Sequence, residues 1–227
     1  MKAVDLFYWP IGKGFLGSLT RAATSIQTYG KERVPREGGG VLAMNHLNFI
    51  DIPVFGTICP RRVVFVAKSE LFDYPGLAQL IRAHGALPIR RGESDRDALR
   101  RMREAVREND LLGLFIEGTR QKSGVPGKPM PGAAMIAISE GVPVIPAAIH
   151  GSQTWKLGNR AAVSVAFGEP MRFAEHPRNS KGYAAASEEI MGEIRRLWEW
   201  LVQLHELGER PRRATPPRRE HVPAKVV

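Results

Sequence analysis

Short apolar runs alternate with segments of helical periodicity along most of the chain. The strand-like runs are Val41–Met44, Val63–Ala67, Leu87–Ile89, Leu111–Ile116, Val144–Ile149 and Val163–Phe167. The helix-like segments are 52–58, 75–83, 95–108, 131–140 and 181–207. Several strands are apolar at every position, as in sheets whose two faces are both covered. The pattern predicts a single α/β domain with a mostly parallel central sheet flanked by helices.

The two ends of the chain depart from this alternation. Residues 1–27 combine an apolar cluster with Lys13 and Arg21, which predicts an amphipathic helix that either associates with a membrane or covers the sheet. Residues 208–227 hold five Arg, one Lys, two Glu and four Pro, and they offer little apolar surface to bury. They are therefore predicted to form a disordered basic tail, which leaves the α/β domain at 28–207.

The overall charge narrows the classes of partner. Lys and Arg number 33 against 23 for Asp and Glu, which leaves a formal net charge of +10. A surplus of this size favours polyanionic partners such as nucleic acid, anionic lipid headgroups or phosphorylated substrates. The apolar runs are far shorter than the ~20 residues of a membrane-spanning helix, and no cleavable signal sequence is recognisable. A cytoplasmic location is therefore expected.

The first candidate for chemistry directly follows the strand-like run Val41–Met44. His46 and Asp51 are five residues apart, a spacing that turns about 140° on a continuous helix and would separate the two side chains. Pro53 favours a helix that begins near Asp51, because proline is tolerated in the first turn. The side chains can then meet, and a carboxylate on one ring nitrogen leaves the other free as a base. The alternative is that Asp51 only caps the helix and His46 is an ordinary loop residue.

The second candidate, Glu117–Arg120, directly follows the run Leu111–Ile116. Gly118 lets the backbone turn and a ligand approach closely, and Thr119 offers a hydroxyl. Arg120 offers a planar fork that suits phosphate. The alternative is a tight turn that carries a surface Glu–Arg pair.

Two other segments have simpler alternative interpretations. The run Leu87–Ile89 is followed by Arg90 and Arg91, which could hold an anion or form a solvated basic face. The segment 141–149 is almost fully explained as a buried strand with prolines at its start. Neither segment indicates a function by itself.

Taken together, the segments resemble the conserved blocks of the glycerolipid acyltransferases, the 1-acylglycerol-3-phosphate acyltransferase family. In chain order, the segments that carry the resemblance are Asn45–Asp51, Gly85–Arg91, Phe115–Arg120 and Val142–Ile149. They are similar to the family's His-x4-Asp, Gly-x-x-Phe-Ile-x-Arg, Phe-Pro-Glu-Gly-Thr-Arg and Val-Pro-Ile-Val-Pro-Val blocks. Pro88 and Ile116 depart from the family pattern, and both departures change shape without removing a functional group.

The resemblance implies an acyltransferase. The enzyme would move a fatty acyl group from acyl-CoA or acyl carrier protein to the sn-2 hydroxyl of 1-acylglycerol 3-phosphate, giving phosphatidic acid. His46 would take the hydroxyl proton as the oxygen attacks the thioester, and Asp51 would hold the imidazolium. The acceptor's phosphate and glycerol would be held by Arg91, Glu117, Gly118, Thr119 and Arg120. Because a thioester is already activated, no covalent acyl-enzyme is needed. No metal ion is expected, because guanidinium groups can meet the acceptor's charge, and no cofactor is expected besides the acyl-CoA or acyl carrier protein co-substrate.

A lysophospholipid acceptor implies an anionic membrane surface as a further partner, and a peripheral location on the cytoplasmic face of the membrane. The blocks do not separate this acceptor from other lysolipids or from glycerol 3-phosphate, which stay open as alternatives. A basic nucleic-acid-binding module is the alternative of a different class. The sequence contains no identifiable recognition helix, zinc motif or aromatic stacking platform, so nucleic acid is not expected as a partner.

Overall fold

A seven-stranded sheet forms the centre of the protein, as described by a computed structural model. The structure describes residues 13–76, 78–79, 81, 86–89, 96–208, 210–211 and 213–219. The strands are β1 (Thr24–Tyr29), β2 (Gly40–Met44), β3 (Val63–Lys68), β4 (Leu87–Ile89), β5 (Leu111–Phe115), β6 (Val144–His150) and β7 (Ala161–Phe167). Their order in the sheet is β1-β7-β6-β2-β5-β3-β4. Every neighbouring pair is parallel except β6 and β7, so the prediction of a mostly parallel sheet is confirmed.

Helices cover both faces of this sheet. They are α1 (Gly17–Ala23), α2 (Asp51–Ile58), α3 (Arg96–Arg107), α4 (Gly132–Glu140) and α5 (Ser180–Glu206). Helices α3, α4 and α5 contribute to the core on one face, and α2 contributes to the core on the other. Along β2, Ala43 belongs to the first core, and Leu42 and Met44 belong to the second. Burial on both faces therefore explains why the strands are apolar without alternation.

Helix α5, the longest in the described part of the chain, has a defined start and an apolar stripe. The side chain of Asn179 accepts a hydrogen bond from the backbone N–H of Gly182 at 3.0 Å, which makes it the N-cap. Ile190, Ile194 and Leu197 follow at helical spacing and are fully buried. Each such side chain contributes roughly 1.5–3 kcal/mol on burial. Among the described residues, no helix is both long enough and apolar enough to cross a membrane.

One strand of the sheet was not predicted from the sequence. Strand β1 pairs in parallel with β7, with Thr24 opposite Ala161. The prediction of one helix over residues 1–27 is therefore wrong from Thr24 onward, and residues 1–12 lie outside the described residues. The physical reason is that β1 is a half-buried edge strand, so it lacks the continuous apolar run that identified the other strands.

The other predicted elements agree closely with the structure. All six predicted strands are present, and their bounds differ by at most two residues from those observed. The predicted helices near 52–58, 95–108, 131–140 and 181–207 correspond to α2, α3, α4 and α5. Only residues 75–76, 78–79 and 81 of the predicted helix at 75–83 are described, and 78–79 and 81 are helical.

The described part of the C-terminal tail lies against the domain. The Arg210 guanidinium donates a hydrogen bond to the carbonyl of Val163 at 2.8 Å. Pro216 is buried, and its carbonyl accepts a hydrogen bond from Arg33 Nη2 at 2.7 Å. The prediction of a disordered tail over 208–227 is therefore wrong for the residues of it that the structure describes. They are held through backbone carbonyls, which a count of apolar residues does not reveal.

Candidate active site

The candidate site lies at the edge of the sheet where the parallel strands β2, β5 and β6 end. His46 follows β2, and Glu117 follows β5. Asn45 connects this edge to β6, because its side chain accepts a hydrogen bond from the N–H of Ile149 at 2.8 Å and donates one to the same residue's carbonyl at 3.0 Å. The carboxyl ends of parallel strands thus bring together residues that are far apart in the sequence.

His46 and Asp51 are in contact. The Nδ1 atom of His46 lies 2.9 Å from Oδ2 of Asp51, which is the first residue of α2. The same carboxylate oxygen accepts hydrogen bonds from the backbone N–H groups of Leu47 at 2.7 Å and Asn48 at 2.8 Å. Asp51 is fully buried and His46 is 7% exposed. The predicted contact is present because the helix begins at Asp51, so the chain turns between the two residues.

The contact with Asp51 selects the tautomer of a neutral imidazole. A carboxylate can only accept, so Nδ1 of His46 is the donor to Asp51, and in the neutral ring the lone pair is then on Nε2. Nε2 makes no hydrogen bond to any described residue. The ring stacks on Phe115, with centroids 3.9 Å apart and planes at 19°. The imidazole is therefore held on one face and at one nitrogen, and its other nitrogen is available to a substrate proton.

Glu117 contacts the loop of residues 45–50, which joins β2 to α2, contains His46 and is called the catalytic loop for its proposed role. Its Oε2 accepts a hydrogen bond from the backbone N–H of His46 at 2.6 Å, and its Oε1 accepts one from the N–H of Gly127 at 2.6 Å. Burial raises the pKa of this carboxyl, and the two backbone hydrogen bonds oppose that effect. Glu117 is only 5% exposed. Its contacts are those of a residue that positions His46, which differs from the predicted contact with the acceptor.

The loop after β5 packs against the backbone of the catalytic loop. The N–H of Gln121 donates to the carbonyl of His46 at 2.7 Å. Gly118 has a φ of +67°, and a Cβ at this position would meet Sδ of Met130, an exposed and flexible side chain. The left-handed backbone is therefore the main reason that glycine is favoured here.

Thr119 and Arg120 are exposed on this loop, beside the hydrogen bond between Gln121 and His46. Arg120 makes no ion pair with any residue in the described part of the chain. Its guanidinium is therefore open to an anionic ligand next to the catalytic loop. Arg91, the other arginine predicted to bind phosphate, lies outside the described residues.

An apolar cavity of about 510 Å³ has His46 in its lining. It lies between the sheet and helices α3 and α4, and its lining also includes Val66, Leu99, Met102 and Met135. This volume is within the usual range of small-molecule sites, roughly 300–1,000 Å³. The cavity therefore suits a hydrocarbon chain bound next to the imidazole.

Several positioning residues were missed by the sequence analysis. Asn48 donates its side-chain amide to the carbonyls of Ser152 at 3.0 Å and Trp155 at 3.3 Å, and Asn45 holds Ile149. Their adjacency to His46 is the only sequence signal for their role. Gly127 gives no signal, because it contributes a backbone N–H that any residue except proline also has.

The fold and the site together define a class: an α/β protein with a histidine–carboxylate pair beside an apolar cavity, an arrangement suited to acid–base chemistry. The sequence profile of the Acyltransferase family matches residues 25–150, more than half of the chain. The chain therefore belongs to the Acyltransferase family.

The sequence identity to individual relatives is between 24% and 34%. The chain is 29% identical over 183 residues to the 1-acyl-sn-glycerol-3-phosphate acyltransferase of Bacillus subtilis, covering 79% of this chain and 91% of that protein. It is 34% identical over 107 residues to the lyso-ornithine lipid O-acyltransferase of Pseudomonas aeruginosa, covering 46% of this chain and 40% of that protein. A crystal structure of the 1-acyl-sn-glycerophosphate acyltransferase PlsC from Thermotoga maritima has the same fold, with a TM-score of 0.66 and 24% identity over 87% of this chain and 80% of that one.

Proposed function

We propose that this acyltransferase moves a fatty acyl group from an acyl thioester to the sn-2 hydroxyl of 1-acylglycerol 3-phosphate, giving phosphatidic acid. The observation that carries the proposal is the His46–Asp51 pair, because His46 also lines an apolar cavity. The Bacillus subtilis relative, 91% of whose length is matched, is named for this activity. That relationship supports the choice of acceptor.

His46 acts as a general base. An alcohol is too weak an acid to be ionised by imidazole before it reacts, so its proton moves to Nε2 while the oxygen attacks the thioester carbonyl. Asp51 stabilises the imidazolium through the 2.9 Å contact with Nδ1. When the tetrahedral intermediate collapses, the carbon–sulfur bond breaks and the thiolate takes the proton from Nε2. The net products are the ester and the free thiol, with no change in the enzyme.

The acyl chain of the donor occupies the apolar cavity. Each methylene that leaves water contributes about 0.8 kcal/mol, so a long chain gains most from this lining. Leu99 and Met102 of α3 and Met135 of α4 would contact the chain. The donor is acyl-CoA or acyl carrier protein, and the thioester's own reactivity leaves no step that requires a metal ion or a cofactor.

The phosphate of the acceptor binds on the loop after β5. Arg120 is exposed beside the catalytic loop and is suited to bind phosphate with two parallel hydrogen bonds. We assign Thr119 and Gly118 to the same acceptor site, together with Arg91. Glu117 contributes indirectly, because it fixes the backbone of His46.

Because acceptor and product are lipids, we propose that the enzyme works as a peripheral protein on the cytoplasmic face of a membrane. Phe15 is 68% exposed and Leu19 is 57% exposed, on the segment that contains α1. Exposed aromatic and aliphatic side chains beside basic residues suit the interface of a bilayer.

The test is release of free thiol by the purified protein with palmitoyl-CoA or palmitoyl acyl carrier protein as donor. The acceptors to compare are 1-acylglycerol 3-phosphate, glycerol 3-phosphate and lyso-ornithine lipid. The proposal predicts the highest kcat/KM with 1-acylglycerol 3-phosphate, and phosphatidic acid as the product identified by mass spectrometry. A higher kcat/KM with either of the other acceptors would contradict the assignment of the substrate, and no thiol release with any of them would contradict the proposed reaction.

A further inference from the structure

A second cavity, separate from the one at His46, lies beside the edge strand β1. It has a volume of about 260 Å³, and its walls come from α1, β1, the end of α2 and the residue that precedes β7. Three cationic side chains line it: Arg21, Lys31 and Arg160. We call it the basic cavity.

The charges in the basic cavity lack counter-ions within the described part of the chain. Arg21, Lys31 and Arg160 form neither an ion pair nor a side-chain hydrogen bond there. Burial lowers the pKa of Lys31, and the neighbouring Arg21 lowers it further. Lys13, which donates a hydrogen bond to the carbonyl of Cys59, belongs to the same cluster of charges. The fold therefore holds like charges together where an anion would relieve their repulsion.

Exposed leucines occur on two of the segments that line the basic cavity. Leu157 is 94% exposed on the segment that contains Arg160, and Leu19 is 57% exposed on α1, on a different side of that helix from Arg21. The two segments are joined, because the Trp155 indole N–H donates to the carbonyl of Ala23 at 3.0 Å. Segments that carry both exposed leucines and cations suit the surface of an anionic bilayer.

This surface is physically connected to the catalytic loop. Phe49, which is 55% exposed, packs edge-on against Trp155 with ring centroids 5.0 Å apart. Asn48 donates hydrogen bonds to the carbonyls of Ser152 and Trp155. A bilayer that contacts Leu157 therefore also lies near the loop that carries His46.

We propose that the basic cavity binds the phosphate of an anionic phospholipid in the bilayer, at a site separate from that of the acceptor. Guanidinium and ammonium groups suit a phosphate group, and no carboxylate is among the described residues that line the cavity. The exposed leucines on the same segments favour a lipid in a bilayer as the source of that phosphate. The choice of a lipid, rather than a soluble phosphate ester, rests on the proposed function. The site would hold the enzyme on anionic membranes while the acceptor site stays free.

The experiment measures co-sedimentation of the full chain with vesicles, in the absence of donor and acceptor. The vesicles are pure phosphatidylcholine, or phosphatidylcholine with one quarter phosphatidylglycerol. Arg160→Gln is compared with Lys156→Gln, which removes the same charge from the same loop at an exposed position that does not line the cavity. We expect Arg160→Gln to weaken binding to the anionic vesicles by roughly tenfold, the effect of one charge-assisted phosphate contact, and Lys156→Gln to change it by less than about twofold. Arg21→Gln should behave like Arg160→Gln.

Equal losses for Arg160→Gln and Lys156→Gln would overturn the proposal, because they would indicate diffuse attraction with no specific site. Thermal unfolding of both variants shows that they fold. The alternative, that the basic cavity binds a soluble phosphate compound, is tested with coenzyme A and with inorganic phosphate at millimolar concentration. If either releases the wild-type protein from anionic vesicles, or raises the Tm of the wild type but not of Arg160→Gln, the cavity binds a soluble phosphate ester and the lipid assignment is wrong. Because no substrate is present, the result is independent of whether the proposed acyl transfer holds.

Discussion

Two buried carboxylates, those of Asp51 and Glu117, contact different parts of His46. Asp51 contacts the ring through Nδ1, and its Oδ2 also receives two backbone N–H groups of the catalytic loop. Glu117 contacts the backbone of His46 and ties it to Gly127 on the following loop. The side chain and the main chain of the base are therefore fixed by different residues, so the two contributions can be separated by mutation.

Glu117→Gln should lower kcat by about tenfold or more and leave the KM for the acceptor nearly unchanged. Glutamine has one acceptor oxygen where the carboxylate has two, so one of the two backbone N–H groups loses its partner, at a cost of about 1–3 kcal/mol in the free energy of unfolding. Steady-state kinetics and urea unfolding measure both effects. Glu199→Gln, at an exposed position of α5, is the matched control.

The opposite kinetic pattern would contradict a positioning role for Glu117. If the acceptor bound to this carboxylate directly, the substitution would raise the KM for the acceptor and spare kcat at saturation.

At the scale of single residues, the sequence predicts that His46 contacts Asp51. It does not predict that Glu117 holds the backbone of His46. Pro53 marks the start of α2, and that start determines that His46 and Asp51 can meet. One of the two hydrogen bonds that Glu117 accepts comes from Gly127, which is distant from it along the loop and has no side chain. A contact to backbone leaves no pattern of residue types, so Glu117 could be recognised by resemblance but its contacts could not be predicted.

At the scale of elements, helices α3 and α4 form one wall of the substrate cavity and the sheet forms the other. Leu99 and Met102 come from α3, Met135 from α4, and Val66 from β3. The bounds of all these elements follow from apolar periodicity. The cavity between them does not, because periodicity shows which faces are apolar but not how closely two apolar faces approach.

Met102→Trp should shift donor preference toward shorter acyl chains. The indole fills part of the cavity, so kcat/KM should fall by about tenfold or more for palmitoyl-CoA and by much less for octanoyl-CoA. Met102→Leu, which conserves volume, is the control and should keep the wild-type preference. Equal losses with both donors would indicate that the acyl chain binds elsewhere.

Strand β1 is an element that the local sequence pattern does not predict. Its sequence, Thr-Ser-Ile-Gln-Thr-Tyr, suits a strand, yet it directly follows a helix and carries polar Thr, Ser or Gln at four of its six positions. Pairing with β7 decides its structure, and that pairing joins parts of the chain that are distant in sequence. Such a strand is specified by its partner more than by its own pattern.

For the whole molecule, the C-terminal segment links strands at the edge of the sheet. Arg210 donates to the hydroxyl of Ser164 at 3.2 Å, and the same hydroxyl lies 2.8 Å from Nε2 of His205. His150 packs against His205 with ring centroids 4.7 Å apart. Composition predicts the charge of this tail but not its contacts, because the arginines bind backbone and hydroxyl oxygens that only the folded sheet presents.

The contacts of His205 with His150, Ser164 and Arg210 should make the free energy of unfolding depend on pH. The pKa of His205 is lowered to about 4 by burial, by His150 and by Arg210. The unfolded chain titrates near 6.5, so between pH 6.5 and 4 the unfolded state binds a proton that the folded state does not, and the free energy of unfolding decreases as the pH falls. The contribution is about 1 kcal/mol, because the ring is only half-buried and solvent reduces the full linkage value.

Urea unfolding at pH 7, 5.5 and 4 measures this dependence. His205→Gln keeps a partner for Ser164 and cannot take up a proton, so its stability should decrease less than that of the wild type over the same interval. An identical decrease in the two proteins would contradict the assignment to His205.

His46 is proposed as the base that accepts the proton of the acceptor hydroxyl. The most direct measurement is the rate of thiol release from palmitoyl-CoA with 1-acylglycerol 3-phosphate, for the wild type, His46→Ala and the control His176→Ala, whose histidine pairs with Glu189. A base at His46 predicts a decrease in kcat of about 10²–10⁴-fold for His46→Ala, with a cooperative unfolding transition retained, and a wild-type rate for the control. A folded His46→Ala protein that releases thiol at the wild-type rate would show that His46 is not the base.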